Sequence, residues 1–83
     1  MQNEKDIVQH IKKNEFEKAV TAISNSYHEI LYWHIRKIVK HHQDANDALQ
    51  NSYIRMFRGL KSFKFNSSVK TWCFRIAYNE AIR

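Results

Sequence analysis

Eighty-three residues with 43% hydrophobic composition, no proline and one glycine read as a single small domain over 1–83, all-α because strand and turn signals are nearly absent. The net charge of +6 lies in the second half: residues 1–47 balance seven Lys and Arg against seven Asp and Glu, whereas residues 48–83 hold seven Lys and Arg against Glu80 alone. These features exclude an internal disulfide framework, since Cys73 is the lone cysteine, a membrane span of roughly 18 apolar residues, and a signal-peptide core in MQNEKDIVQH; they leave a cytoplasmic protein with a footprint for a polyanion.

Ile7, Val8 and Ile11 stand at helical spacing within residues 3–13, with Asn3 as the expected N-cap and Lys12 and Lys13 suiting the negative end of the helix dipole. Asn14 belongs to a residue type that tolerates the left-handed conformation, and the helix is expected to close there. From residue 15 to about residue 40, Phe16, Ala19, Val20, Ile23, Tyr27, Ile30, Leu31, Ile35, Ile38 and Val39 recur at steps of three and four, which predicts the longest helix. The stripe is wide enough for two neighbours, and Tyr32 and Trp33 beside it are assigned to the core. His28, His34, His41 and His42 have no Cys or carboxylate partners at ligand spacing, so no metal or other cofactor is expected.

The run HHQDAND interrupts the periodicity, and Asp44 is the expected N-cap of a helix from residue 45 to about residue 59. At about 100° per residue, Ala48, Leu49, Ser52, Tyr53 and Met56 share its core face. Asp47, Gln50, Asn51, Ile54 and Arg58 share the opposite face, with Phe57 on its margin. Ile54 amid polar neighbours suits a contact point for a partner, although isolated exposed apolar residues also occur without one. Gly59 is expected to end this helix as a C-terminal cap.

Residues 60–66 form a loop carrying Lys61, Phe63, Lys64 and Phe65; one phenylalanine is expected in the core, and the other is left to line a pocket or stack on a base. Asn66, Ser67 or Ser68 caps the last helix, whose first backbone N–H groups offer a small anion site. Val69, Trp72, Cys73, Ile76 and Ala77 make its inner face. Thr71, Arg75, Tyr78 and Ile82 point outward, flanked by Asn79 and Phe74. Residues 61–79 thus combine cations that attract phosphates with rings on which unpaired bases stack, and Arg75 and Asn79 suit base edges or phosphates. The helical pattern is unfinished at Arg83, and the native chain is expected to continue.

The series Asp44-Ala45-Asn46-Asp47-Ala48-Leu49-Gln50, then Tyr53, Phe57 and Arg58, then Phe63, then Thr71-Trp72-Cys73-Phe74-Arg75-Ile76-Ala77-Tyr78-Asn79 resembles region two of bacterial sigma factors, most nearly the extracytoplasmic-function (ECF) type. The resemblance covers residues 15–83 and implies a compact bundle of about four helices that acts in transcription initiation without performing chemistry. It implies that Asp47, Gln50, Asn51, Ile54, Phe57 and Arg58 dock the clamp helices of the RNA polymerase beta-prime subunit. It implies further that the loop with Lys61, Phe63, Lys64, Phe65, Asn66 and Ser67 captures a flipped, single-stranded non-template base of the minus-ten promoter element. Lys70, Thr71, Trp72, Arg75, Tyr78 and Asn79 correspond to the helix that separates the strands and reads that element. Asn46 and Asn51 stand where the family usually has carboxylates, which implies docking less dependent on acidic contacts, and Cys73 replaces the common leucine. The family's second domain, a helix-turn-helix that reads the minus-thirty-five element, is absent, so these residues alone are not expected to select promoters fully.

The alternative reading is a helical interaction module whose basic half meets an acidic protein such as an anti-sigma factor. A self-standing helix-turn-helix is disfavoured because the segment between Gly59 and Ser67 exceeds a turn of about three or four residues. An enzyme is disfavoured by the lack of a paired-carboxylate site, of a nucleophile with an evident base, and of a phosphate-binding glycine loop.

Overall fold

A long helix, α2 (Phe16–Arg36), forms the spine of the protein. The computed structural model describes residues 4–83, and the expected cap Asn3 lies outside the described residues. Within them α1 (Glu4–Lys12), α3 (His42–Gly59) and α4 (Val69–Ala81) each pack on α2, with α3 and α4 also in contact and no strand among the described residues. Ala19, Ala22, Ile23, Leu31 and Ile35 of α2 are fully buried and meet Ile7 and Ile11 of α1, Ala45, Leu49 and Met56 of α3, and Cys73 and Ala77 of α4 in one hydrophobic cluster. No helix among the described residues is long and apolar enough to cross a membrane.

Asn14 closes α1 as expected, with φ of 60°. Its N–H bonds to Ile11 O at 3.0 Å and the Glu15 N–H reaches back to His10 O at 2.8 Å, so the orphan carbonyls at the helix end are satisfied. Glu15 then opens α2 and ties the corner, accepting from His10 Nδ1 at 3.0 Å and Lys18 Nζ at 3.5 Å. The hydrogen bond from His10 holds the Glu15 carboxyl below its ordinary pKa.

Between α2 and α3 the expected boundaries move. Helix α2 stops at Arg36 rather than near Lys40, and α3 starts at His42 with His41 at the cap position, so Asp44 lies in the first turn instead of capping it. Tertiary contacts explain the shift. Val39 packs back onto the core after α2 has ended, and His42 is held at the start of α3 by the side chains of Tyr32 and Asn46. The corner is knit by polar side chains: Arg36 Nη2 donates to Lys40 O at 3.3 Å and Nη1 to the Tyr32 hydroxyl at 3.1 Å, while His42 is hydrogen-bonded to that hydroxyl and, at 3.1 Å, to Asn46. Asp44 contributes through the helix dipole alone.

The core faces of α3 and α4 follow the expected periodicity, with Ala45 and Glu80 added to them. Ser52 is buried without loss because its Oγ donates to Ala48 O at 2.7 Å. Burial pushes the Cys73 thiol up to about 12, which leaves it a small apolar packing group. Gly59 ends α3, but not as a left-handed cap: its φ is −85°, and the chain continues into a 3₁₀ turn, Leu60–Ser62, whose Leu60 is buried. The glycine lets Trp72 pack closely instead: a methyl group there would come within 3.1 Å of Trp72 Cζ2 and press the ring outward by a few tenths of an ångström.

Candidate nucleic-acid and protein interfaces

The loop after the 3₁₀ turn is built on an aromatic stack. Phe63 is half-buried, its ring centroid 5.0 Å from that of Trp72, and Phe65 lies outside it at 4.7 Å. The two phenylalanines therefore divide as anticipated, Phe63 inward and Phe65 outward, 44% exposed. Phe65 adopts φ of 58°, a conformation that costs a bulky L-residue about 1 kcal/mol or more and that the ring contact with Phe63 helps to hold. Trp72 is half-buried too, wedged between Gly59 and Phe63 and presenting one edge to a recess shared with Arg55, Asn79 and Arg83.

Of the three candidate caps, Ser68 is the one used: its Oγ accepts from the Thr71 N–H at 3.1 Å. The anion site expected at this helix start is filled from within. Glu4 of α1 accepts from the Val69 N–H at 2.9 Å and the Lys70 N–H at 3.1 Å, and also from the Tyr27 hydroxyl at 3.1 Å. One carboxylate thereby joins α1, α2 and α4 and neutralises the positive end of the α4 dipole. Burial together with this hydrogen bond raises Tyr27 to about 12. Nothing local to residue 4 announces a partner 65 positions away.

The outward side of α4 is open. Lys61, Lys64, Asn66, Lys70, Thr71, Arg75, Tyr78 and Asn79 are exposed, and Ser67 is half-buried. Thr71, Phe74, Arg75, Tyr78 and Asn79 line a shallow groove whose far wall is His34 of α2. Burial, followed by the nearby Lys37, lowers the pKa of His34, so its ring is neutral at physiological pH. Two residues stand out here, Trp33, which the sequence reading assigned to the core, and Glu80, which it assigned to neither face. Trp33 belongs to the surface rather than the core, 55% exposed, and Glu80 belongs to the core, paired with Arg55 and, at 3.3 Å, with Arg83. Its spacing of three and seven residues from Ala77 and Cys73 places Glu80 on the inner face, a signal present in the sequence.

A second surface lies on α3. Asp47, Gln50, Asn51, Ile54, Phe57 and Arg58 are all exposed, with Ile54 at 48% and Phe57 at 45%. Ile54, Asn51 and Arg58 border a hollow beside Gly59, while Phe57 faces a separate depression at the α1–α2 corner lined by His10, Glu15 and Phe16. The structure thus brings Asn51, Ile54 and Arg58 together, sets Phe57 apart toward the α1–α2 corner, and places Thr71, Arg75, Tyr78 and Asn79 together on α4.

Residues 23–83 match the family model for sigma-70 region 2. The chain is 35% identical over 66 residues to the ECF RNA polymerase sigma factor SigX of Bacillus subtilis, covering 80% of this chain and 34% of that protein. It is 36% identical over 56 residues to the RNA polymerase sigma factor YlaC of Bacillus subtilis, covering 68% of this chain and 32% of the relative. With the ECF RNA polymerase sigma-E factor of Haemophilus influenzae the identity is 31% over 74 residues, 89% of this chain and 36% of the relative. The chain therefore spans about a third of the length of these relatives. No solved structure gives a significant match.

Proposed function

This chain belongs to the sigma-70 region 2 family, and from that premise we propose that it is a module of transcription initiation that docks core RNA polymerase through α3 and holds single-stranded promoter DNA on its loop and α4. The observation that carries this reading is the segregation of exposed side chains. Between residues 48 and 79 there is no acidic residue, and Lys61, Lys64, Lys70 and Arg75 are all exposed beside Phe65 and Tyr78. The α3 face instead mixes Asp47, two amides and Arg58 around Ile54.

In this mechanism the lysines and Arg75 attract the backbone of the non-template strand of the minus-ten element. Unstacking a base costs a few kcal/mol, and the rings of Phe63, Phe65 and Trp72, with Asn66 and Ser67 as polar partners, offset that cost when the base leaves the duplex. Thr71, Tyr78 and Asn79 face the adjoining bases, Asn79 by hydrogen bonds to a base edge. Docking on the beta-prime clamp helices buries Ile54 and Phe57 among Asp47, Gln50, Asn51 and Arg58 and holds the DNA face at the strand junction. No reacting group is required, and the place of action is the cytoplasm, where polymerase is. With polymerase absent, the same uncovered Ile54 and Phe57 suit an anti-sigma protein competing for α3.

The test is titration of the chain, alone and with core polymerase, against single-stranded oligonucleotides of different minus-ten-like sequences at two salt concentrations. The expected result is a sequence preference that persists at higher salt and is lost in Asn79→Ala. Salt-sensitive binding with no preference would reduce the surface to a basic patch and overturn promoter reading.

A further inference from the structure

The groove on the outer side of α4 does not end at α4. His34 of α2 packs edge-on to Phe74, with centroids 4.8 Å apart and planes at 87°, and stands 6.5 Å from Tyr78. Beyond His34 and Phe74 a second hollow continues along α2, lined by Glu29, Ile30, Trp33 and Lys37. Trp33 is the most exposed aromatic residue of the described chain at 55%, yet it is not loose. The Tyr32 ring meets it edge-on at 5.1 Å, and the Arg36 guanidinium, itself anchored to the Tyr32 hydroxyl and Lys40 O, lies 5.8 Å from its centroid. A large ring fixed on one side, open on the other and flanked by Arg36 and Lys37 has the form of a stacking platform with cations beside it.

We infer that single-stranded nucleic acid crosses from α4 over His34 onto α2 and stacks one further base on Trp33, with Lys37 beside the phosphate of that nucleotide. The inference rests on the reading that the loop and α4 bind a single strand, and it extends the footprint to a helix outside that set. Charge complementarity and continuity choose the occupant: the hollow at Trp33 adjoins, through the shared walls His34 and Phe74, the groove of Arg75 and Asn79, and among the residues lining the two hollows Glu29, at the far end, is the one carboxylate. The neutral His34 ring bridges the two halves without adding a charge that a base face would have to desolvate.

The test uses the chain alone and assembled with core polymerase, titrated with labelled single-stranded oligonucleotides in which one nucleotide at a time is abasic. Trp33→Ala is expected to weaken the intact strand about ten-fold, Trp33→Phe to restore most of that loss, and one abasic position to cost the wild type about ten-fold and Trp33→Ala nothing. Circular dichroism of the two variants holds folding constant. Photocrosslinking of iodouracil-containing strands to the Trp33 peptide reads the same contact in the unsubstituted chain. If the wild type binds no strand in either setting, the proposed function fails and this inference with it. If Asn79→Ala and Arg75→Ala weaken binding while Trp33→Ala does not and the Trp33 peptide stays uncrosslinked, the path over α2 alone is overturned. Unchanged strand affinity in Trp33→Ala with a loss of affinity for polymerase would give this face to a protein partner and overturn it equally.

Discussion

Ile54 on α3 and Tyr78 on α4 are equally open to solvent, each 48% exposed, yet the surfaces around them have different chemistry. Around Ile54 the charges are mixed and the hydrogen-bonding groups are amides, a setting in which an apolar anchor is buried against another protein. Around Tyr78 the groove is lined by Arg75 and by no carboxylate, and beside it stand the flat rings of Phe74 and His34, which suits phosphates and bases. Exposure alone does not distinguish them. What differs is how charge is spent behind each face: Arg55, though basic, is withdrawn into an ion pair with Glu80, while Lys61, Lys64, Lys70 and Arg75 stay free for an external polyanion among the salt bridges described.

The largest expected effect that separates the two surfaces comes from Ile54→Glu. An unpaired charge forced into an apolar contact should lower affinity for the clamp helices at least about a hundred-fold, measured by calorimetry, and leave oligonucleotide affinity unaltered. Replacing Lys61, Lys64 and Lys70 together with alanine should do the reverse. The slope of log affinity against log salt for a single strand should fall by about 2, at about 0.7 per phosphate contact, while polymerase docking is preserved.

Support beneath the proposed DNA face is tested by Glu4→Ala, which strips the first turn of α4 of its carboxylate. A loss of about 2 kcal/mol in urea unfolding is expected, the size of a few charge-assisted hydrogen bonds that only partly regain water. Phe65→Gly separates function from fold more finely. Relief of the left-handed backbone should offset the lost contact with Phe63, keeping stability within about 1 kcal/mol, while strand affinity drops about ten-fold.

The smallest effect touches both surfaces together. Burial raises the Cys73 thiol from 9.0 to about 12, and burial with the Glu4 hydrogen bond raises Tyr27 from 10.0 to about 12. Groups whose folded pKa lies above the unfolded value give stability that is fully present below about pH 9 and is lost as pH rises toward about 12. A thermal melt series across that window should show a falling midpoint, and a Cys73→Val variant a shallower fall.

Much of this was legible from one sequence because the signals are local. Ile7 and Ile11 mark α1, Asn14 its left-handed end, and the rows through Leu49 and Met56 and through Cys73 and Ala77 the inner faces of α3 and α4. That one loop phenylalanine goes inward was readable because a solvated loop has little use for two such rings, but which one was not: the structure turns Phe63 inward and Phe65 outward. The errors come from specific side-chain and backbone contacts that periodicity and residue type do not signal. The α2–α3 corner is set by hydrogen bonds among Tyr32, Arg36, His42 and Asn46, so local capping preference at Asp44 lost to these contacts. Trp33 was assigned inward on hydrophobicity together with Tyr32; Tyr32 does pack against the core, half-buried, whereas Trp33 lies outside it against the Tyr32 ring and the Arg36 guanidinium. Glu4 was not readable, because two of its three donors are backbone N–H groups that have no residue type to signal them and the third, the Tyr27 hydroxyl, lies 23 positions away.

The separability of the two surfaces is tested most directly by crossing Ile54→Glu with Asn79→Ala and measuring, for each variant, affinity for the clamp helices and sequence preference among single-stranded oligonucleotides. Two independent faces require that Ile54→Glu lose polymerase and keep the sequence preference, and that Asn79→Ala do the converse, with additive effects in the double variant. If either single substitution abolished both activities in a chain whose circular dichroism is unchanged, the division between an α3 docking face and a loop–α4 DNA face would be contradicted.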